Sequence, residues 1–389
     1  MAGAHIVSPD DLTALTALRR LLHQHPETRF DVAATADRVA EELDDAGLEV
    51  TMEVGGSGVV GTLRRGTAQR SIGLRADLDA LPIDERGDLA HTSQIAGAHH
   101  GCGHDGHITM LLGAAQALAQ AEDLDGTVQF IFQPAEETGR GAQAMIDDGL
   151  LDRFPIDAVF GLHNLPGLPV GHLATRVGTF TAFEDVFTIE IDGSGGHASA
   201  PQHTTDPLVA GAEMVLALQT VVSRAVDPAD HAVVSVTEFV TDGARNIIPG
   251  QVTIRGDSRG YDDRVSSTIR TRMERIAAGV AAAHGARAQI DHRREFAPVV
   301  NTEAATHAAV RAAQRTDGMS VDATAGRMGF SEDFAQYLNH RPGCLVVLGN
   351  GIEGPHGRSL HHPSYDFNDA AIPFGVGYWC ALVRGWLGP

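Results

Sequence analysis

The chain has 389 residues, 43% of them hydrophobic, and a formal net charge of −21. That length suits two domains better than one core, and the acidic balance argues against nucleic acid or an anionic membrane as partner. All 29 basic residues are arginine, so no Schiff-base, pyridoxal-phosphate or phosphate-loop lysine exists.

Leu12 to His25 has helical spacing and stops at Pro26, and Val32 to Ala46 forms a second amphipathic helix ended by Gly47. Leu48–Val54, Val59–Arg64 and Ser71–Ala76 read as strands, the last running into Asp77-Leu78-Asp79. Three glycines in seven residues make Gly101-Cys102-Gly103-His104-Asp105-Gly106-His107 a bent loop. Ile108 to Ala121 is the next helix. Thr127–Phe132 and Ala158–Leu162 are buried strands that deliver Glu136-Glu137 and His163-Asn164. From about Phe183 the pattern becomes β-α-β-β-α-β, with helices Asp206 to Val226 and Asp262 to His284. That order predicts a ferredoxin-like module, residues 183–296, inserted into a larger α/β domain of residues 1–182 and 297–389. The larger domain resumes with a helix from Thr302 to Thr316, a strand near Leu345–Leu348 and a helix from Ala370 to Trp386.

No apolar run approaches the ~20 residues that cross a bilayer. The start, MAGAHIVSPDD, lacks the basic end and apolar core of a signal peptide. Cys102, Cys344 and Cys380 are widely separated, which favours free thiols in a reducing compartment. The expectation is a cytoplasmic enzyme.

The larger domain collects its polar clusters at the C-terminal ends of apolar strands, where open α/β sheets place their sites. A catalytic metal centre needs His, Cys, Asp or Glu converging from several elements. Cys102, His104, Glu136, Glu137, His163 and the Leu360-His361-His362-Pro363 loop supply such groups. Singly, each has a plainer explanation: a buried thiol, a solvated turn, a hydrogen-bonded core histidine, a surface loop. Their joint occurrence at successive strand ends is what argues for a site.

Gly73 to Pro82, His100 to His107, Phe132-Gln133-Pro134-Ala135-Glu136-Glu137, Leu162-His163-Asn164, Gly195-Gly196-His197, Asn246-Ile247-Ile248-Pro249, Ser331-Glu332-Asp333-Phe334 and Pro363 to Asp369 occur in an order that resembles the aminoacylase/carboxypeptidase metallopeptidase family. The most similar branch holds hippurate hydrolases, N-acyl-amino-acid amidohydrolases and auxin-conjugate hydrolases. The resemblance implies two divalent metal ions (Zn, Mn, Co or Ni) held by Cys102, His104, Glu137, His163 and His361. It implies Glu136 as the general base, which takes a proton from the attacking water and passes it to the leaving amine, and Asp79 as a support for the centre. From the inserted domain, His197 is implied to stabilise an oxyanion, and Asn246 and Arg259 to hold a substrate carboxylate. Without the resemblance, Arg259 reads as a strand-edge surface charge.

The resemblance implies hydrolysis of N-acyl or N-aroyl amino acids to a carboxylate and a free amino acid, by a homodimer formed through the inserted domain. A dipeptidase or carboxypeptidase on the same centre is the alternative. A catalytically silent binding protein and a Cys102 nucleophilic hydrolase are the other classes. Departures from the pattern are His362, where asparagine is usual, Leu165 after His163-Asn164, and Arg140 near Glu137.

Overall fold

A computed structural model describes residues 7–388. The chain forms two compact units, Met1–Phe180 with Val299–Gly326 and Glu332–Pro389, and Thr181–Pro298 with Arg327–Ser331. The sequence alone assigns Arg327–Ser331 to the larger domain. The chain places it in the second unit, where Met328 bridges Thr181 and Phe330 accepts the Ala182 N–H.

The first unit is built on an eight-stranded mixed sheet. Its strands run in the order Glu49–Val54, Gly58–Arg65, Gly126–Gln133, Ser71–Asp77, Val159–Pro166, Gly343–Gly351, His172–Ala174 and Ser320–Asp322. The four strands from Gly126–Gln133 to Gly343–Gly351 are mutually parallel. They are buried almost throughout, which matches their unbroken apolar runs. Asp77 pairs with Gln133, so the loops that follow these two strands leave the sheet side by side. The helix His104–Ala119 packs on the strand Ser71–Asp77 beneath helices Pro9–Gln24, Ala33–Asp45 and Ile372–Leu387. With both sides covered, it is buried along nearly its whole length.

Two element boundaries differ from the sequence reading for local reasons. The first helix starts at Pro9 because Ser8 and Asp11 form a reciprocal capping box, with Ser8 Oγ accepting the Asp11 N–H at 3.1 Å. The buried helix starts at His104, not Ile108, so half of the predicted bent loop is its first turn. Gly103 at φ +89° turns the chain into it. Gly106 does not break the helix; it makes room for Phe367, whose ring would lie 2.3 Å from an added Cβ.

The second unit is a four-stranded antiparallel sheet in the order Ala232–Thr241, Gln251–Gly260, Phe183–Asp192, Arg287–Phe296. Numbered along the chain this is 2-3-1-4, the ferredoxin-like arrangement expected. Helices Pro207–Thr220 and Asp263–Ala283 pack their buried residues against the sheet, through Ala210, Met214 and Leu218 on one and Val265, Ile269 and Met273 on the other. One expectation is corrected here. Counting its continuation, Pro207–Ala225 is a 19-residue helical stretch long and apolar enough to cross a membrane by length and composition, and only 28% of its most apolar window is buried. Its inner residues are part of the core, and Leu208, Val209 and Leu216 are exposed.

Candidate metal centre

The parallel strands and the buried helix bring four loops of the first unit together. Asp77-Leu78-Asp79 leaves one strand, and Leu78 donates its N–H to the Gln133 carbonyl at 2.7 Å. That bond fixes it beside the turn Glu136–Thr138, which Ala135 enters at φ +54°. Asp79 anchors the same turn: its Oδ1 accepts the Glu136 N–H at 2.8 Å and its Oδ2 the Glu137 N–H at 3.3 Å. The late loop is tied to the Cys-His stretch by His361 N–H donating to the Gly101 carbonyl at 2.9 Å.

The five expected ligands converge. Donor atoms of Cys102, His104 and His163 lie within 4.8 Å of one another, as do those of Cys102, Glu137 and His361, and of His104, Glu136 and Glu137. Cys102, His104 and Glu137 each belong to two of these groups, so the three form one continuous cluster. Of the two adjacent histidines in the late loop, His361 Nε2 faces Glu137 Oε2 at 3.6 Å, while His362 Nδ1 accepts the Ser364 N–H within its own loop.

The hydrogen bonds set the tautomers. His104 Nδ1 lies 2.7 Å from the Asp79 carbonyl oxygen, and His163 Nδ1 lies 2.7 Å from the Asn164 carbonyl oxygen. A carbonyl only accepts, so each Nδ1 carries the proton and each Nε2 keeps its lone pair. His163 Nε2 faces Cys102 Sγ at 3.5 Å. His104 Nε2 faces Glu137 Oε1 at 3.9 Å, and both atoms are buried without a hydrogen-bond partner. Orphaned, inward-aimed donors of this kind fit a bound cation.

The electrostatics agree. Burial, then the Glu137 and Glu136 carboxylates, pushes the Cys102 thiol well up. Burial, then Glu332 and Glu137, does the same to Glu136. Burial pushes Glu137 up to about 8. It also drives His104 well below the usual imidazole range and His163 down to about 4. The thiol and carboxyls crowd one another, and divalent cations among them would relieve that repulsion.

A second layer of buried charged residues supports these groups. Arg75 is buried and donates to Asp77 at 2.7 Å, Asp333 at 2.8 Å and Gln133 at 2.9 Å. Asp77 also holds His107 Nδ1 at 2.7 Å and faces His104 Nε2 at 3.7 Å. Asp333 accepts the Ala142 N–H at 2.9 Å, at the start of the helix that follows the Glu136 turn. The only sequence signal for this network is charged residues inside or just beyond apolar strands.

The other three expected residues lie in the second unit. His197 and Asn246 are neighbours in a short ribbon: His197 pairs with Ile247, and the Asn246 carbonyl accepts the Ala198 N–H at 3.1 Å. His197 Nδ1 accepts from Ser199, and both His197 and Asn246 are exposed. Arg259 is not on a sheet edge. It sits in the strand Gln251–Gly260, between two partner strands, and its guanidinium contacts Glu184 at 3.0 Å, Asp257 at 2.9 Å and Ser331 Oγ at 3.2 Å. A substrate carboxylate would have to compete with both of those acids.

The model of Peptidase family M20/M25/M40 matches residues 73–385. The chain belongs to this family. It is 37% identical over 372 residues to the hippurate hydrolase of Campylobacter jejuni, covering 95% of this chain and 96% of that protein. It is 36% identical over 375 residues to an N-acetylcysteine deacetylase of Bacillus subtilis, covering 95% and 96%. Among solved structures, the Bacillus subtilis YxeP protein, described as a dinuclear metal binding peptidase, superposes with a TM-score of 0.81 at 32% identity, over 96% of this chain and 97% of that one. This M20 chain is therefore a hydrolase of the amidohydrolase branch, built as a mixed α/β domain with a smaller ferredoxin-like one.

Proposed function

We propose that this M20 hydrolase cleaves the amide bond of N-acyl or N-aroyl amino acids, releasing a carboxylate and a free amino acid. The supporting observation is the pair Glu136-Glu137, held by Asp79 beside Cys102, His104, His163 and His361. Those five residues other than Glu136 and Asp79 — Cys102, His104, Glu137, His163 and His361 — would hold the two divalent ions. The mixed thiolate, imidazole and carboxylate set accepts zinc, manganese, cobalt or nickel. When bound, the ions supply Lewis acidity at the scissile carbonyl and lower the pKa of the attacking water.

The chain's own residues do the rest. Glu136 takes a proton as the water oxygen bonds to the carbonyl carbon, and returns it to the amide nitrogen as the C–N bond breaks. Asp79 aims the turn, and the Asp79 and Asn164 carbonyls aim the two imidazoles. His197, with Asn246 beside it, is assigned to the oxyanion, and Asn246 and Arg259 to the amino-acid carboxylate.

A homodimer through the second unit fits the exposed Leu208, Val209 and Leu216 of one helix and Phe239 and Val240 of an edge strand. A cytoplasmic location fits the three free, buried thiols. The test is turnover of a panel of N-acetyl and N-benzoyl amino acids beside dipeptides with a free amino terminus, in protein loaded with each metal. Acyl amino acids are expected to turn over and Glu136→Gln to lose most of the rate while keeping its metal. Turnover confined to the dipeptides would replace this reading with the dipeptidase one.

A further inference from the structure

A second histidine cluster in the first unit has no part in the centre just described. His23, on the helix Pro9–Gln24, is fully buried. Its Nδ1 lies 2.8 Å from Asp105 Oδ2, and its Nε2 faces Glu85 Oε1 at 3.4 Å. His99 Nε2 faces the same oxygen at 3.9 Å. One donor atom from each of His23, Glu85 and His99 lies within 4.8 Å of the other two.

The outer atoms of the cluster are already committed. Glu85 Oε2 accepts the Ser93 N–H at 2.6 Å, which leaves Oε1 turned inward. Asp105 takes His23 Nδ1 and is itself faced by the Arg19 guanidinium at 3.5 Å. A carboxylate on the far nitrogen of an imidazole is the usual way a metal-binding histidine is oriented.

His99 is the unexplained member. It is fully buried, and beyond a weak main-chain contact to Tyr365 its ring nitrogens have no hydrogen-bond partner; an unpaired buried polar atom is costly. A separation of 3.9 Å is too long for a hydrogen bond. It is close to the spacing of two ligands on a shared ion: tetrahedral bonds of ~2.1 Å put their ends about 3.4 Å apart. A competing arrangement has His23 as a cation between Asp105 and Glu85. Burial opposes that charge, but the two hydrogen bonds outweigh it and push His23 up to about 9. That arrangement satisfies His23 and leaves His99 as it was.

We propose that His23, Glu85 and His99 form a further metal site, for a divalent transition ion such as zinc or cobalt, separate from the Cys102 centre. Two imidazoles and a carboxylate are a zinc donor set, with water completing the shell. Such an ion ties the loop carrying Glu85 to the first helix and to the segment leading into Cys102. Binding displaces the His23 proton to the buffer.

The test strips the full chain with a chelator, reloads it with excess cobalt(II) in mildly alkaline buffer, desalts it and counts cobalt per chain. His99→Leu is expected to hold one equivalent less than the wild type. It should keep the thiolate-to-cobalt absorption band that Cys102→Ser abolishes, which shows that the missing ion is not one of the Cys102 pair. Glu85→Gln, which preserves volume, should show the same loss and serves in place of His99→Leu if circular dichroism finds that variant unfolded. Equal cobalt in wild type and folded variant, or loss of the thiolate band together with the equivalent, would overturn the proposal.

Discussion

Asp79 offers a test of how the Glu136 turn is held. Its carboxylate accepts two backbone N–H groups, the buried one of Glu136 at 2.8 Å and the part-buried one of Glu137 at 3.3 Å. Asp79→Asn keeps one acceptor oxygen and turns an amide NH₂ toward the other N–H. A bond to a charged acceptor contributes roughly 1.5–3 kcal/mol and a neutral one about 1, while a stranded N–H costs roughly 1–3 kcal/mol. The net loss is about 3 kcal/mol, falling on the position of Glu136 and Glu137. If it appears fully in the transition state, kcat drops about 10²-fold, at tenfold per ~1.4 kcal/mol. Metal content should survive, because His104 is held by the Asp79 main-chain carbonyl, which the substitution leaves in place. Steady-state kinetics on an N-acyl amino acid, with metal counted on the same sample, makes the measurement. A kcat within about threefold of wild type, against that estimate, would refute Asp79 as the group that positions the base; metal lost in step with kcat would show that it supports the ligands instead.

Gly103→Ala should lose about 3 kcal/mol by urea denaturation, since φ +89° disfavours a Cβ and the added atom meets Asn164 Oδ1 at 2.5 Å and Tyr365 Oη at 2.6 Å; a loss under about 0.5 kcal/mol would mean that the loop yields freely. In chelator-treated protein, His23 has a folded pKa of about 9 against 6.5 as its ordinary value. A raised pKa stabilises fully below the unfolded value and progressively less as pH climbs through the folded one. Relative to His23→Gln, wild type should therefore be more stable by about 3 kcal/mol below pH 6.5, with the advantage fading towards pH 9; a difference flat across that window would contradict the His23 ion pairs. Chelation should abolish hydrolysis and a divalent ion restore it, whereas iodoacetamide should leave the loaded enzyme active because Cys102 is buried. Metal-independent activity that alkylation stops would instead make Cys102 a nucleophile.

The parallel strands were legible because burial on both faces leaves an unbroken apolar run, and the polar groups that end each run mark the site. His172–Ala174 and Ser320–Asp322 were not legible, since three residues carry no periodicity and exist as strands only through their partners. The start of the buried helix was misread because glycine has two uses that look alike in sequence. Gly103 supplies a positive φ, whereas Gly106 supplies space for a ring that arrives from residue 367.

By itself the sequence determined the chemistry on offer: a thiol, imidazoles and paired carboxylates at strand ends, in an order that names the family. These are properties of residue type and local spacing. Tertiary structure decided which of them meet. Cys102 and His361 are far apart in the chain, and the pairing of the parallel strands and the Gly101–His361 main-chain bond bring them to one centre. It also decided that His361 and not His362 turns inward, that Asp79 holds the Glu136 turn through its side chain and His104 through its carbonyl, and that Arg259 already faces Glu184 and Asp257. Contacts between distant residues depend on strand register and backbone direction, and neither is a property of any one stretch of sequence.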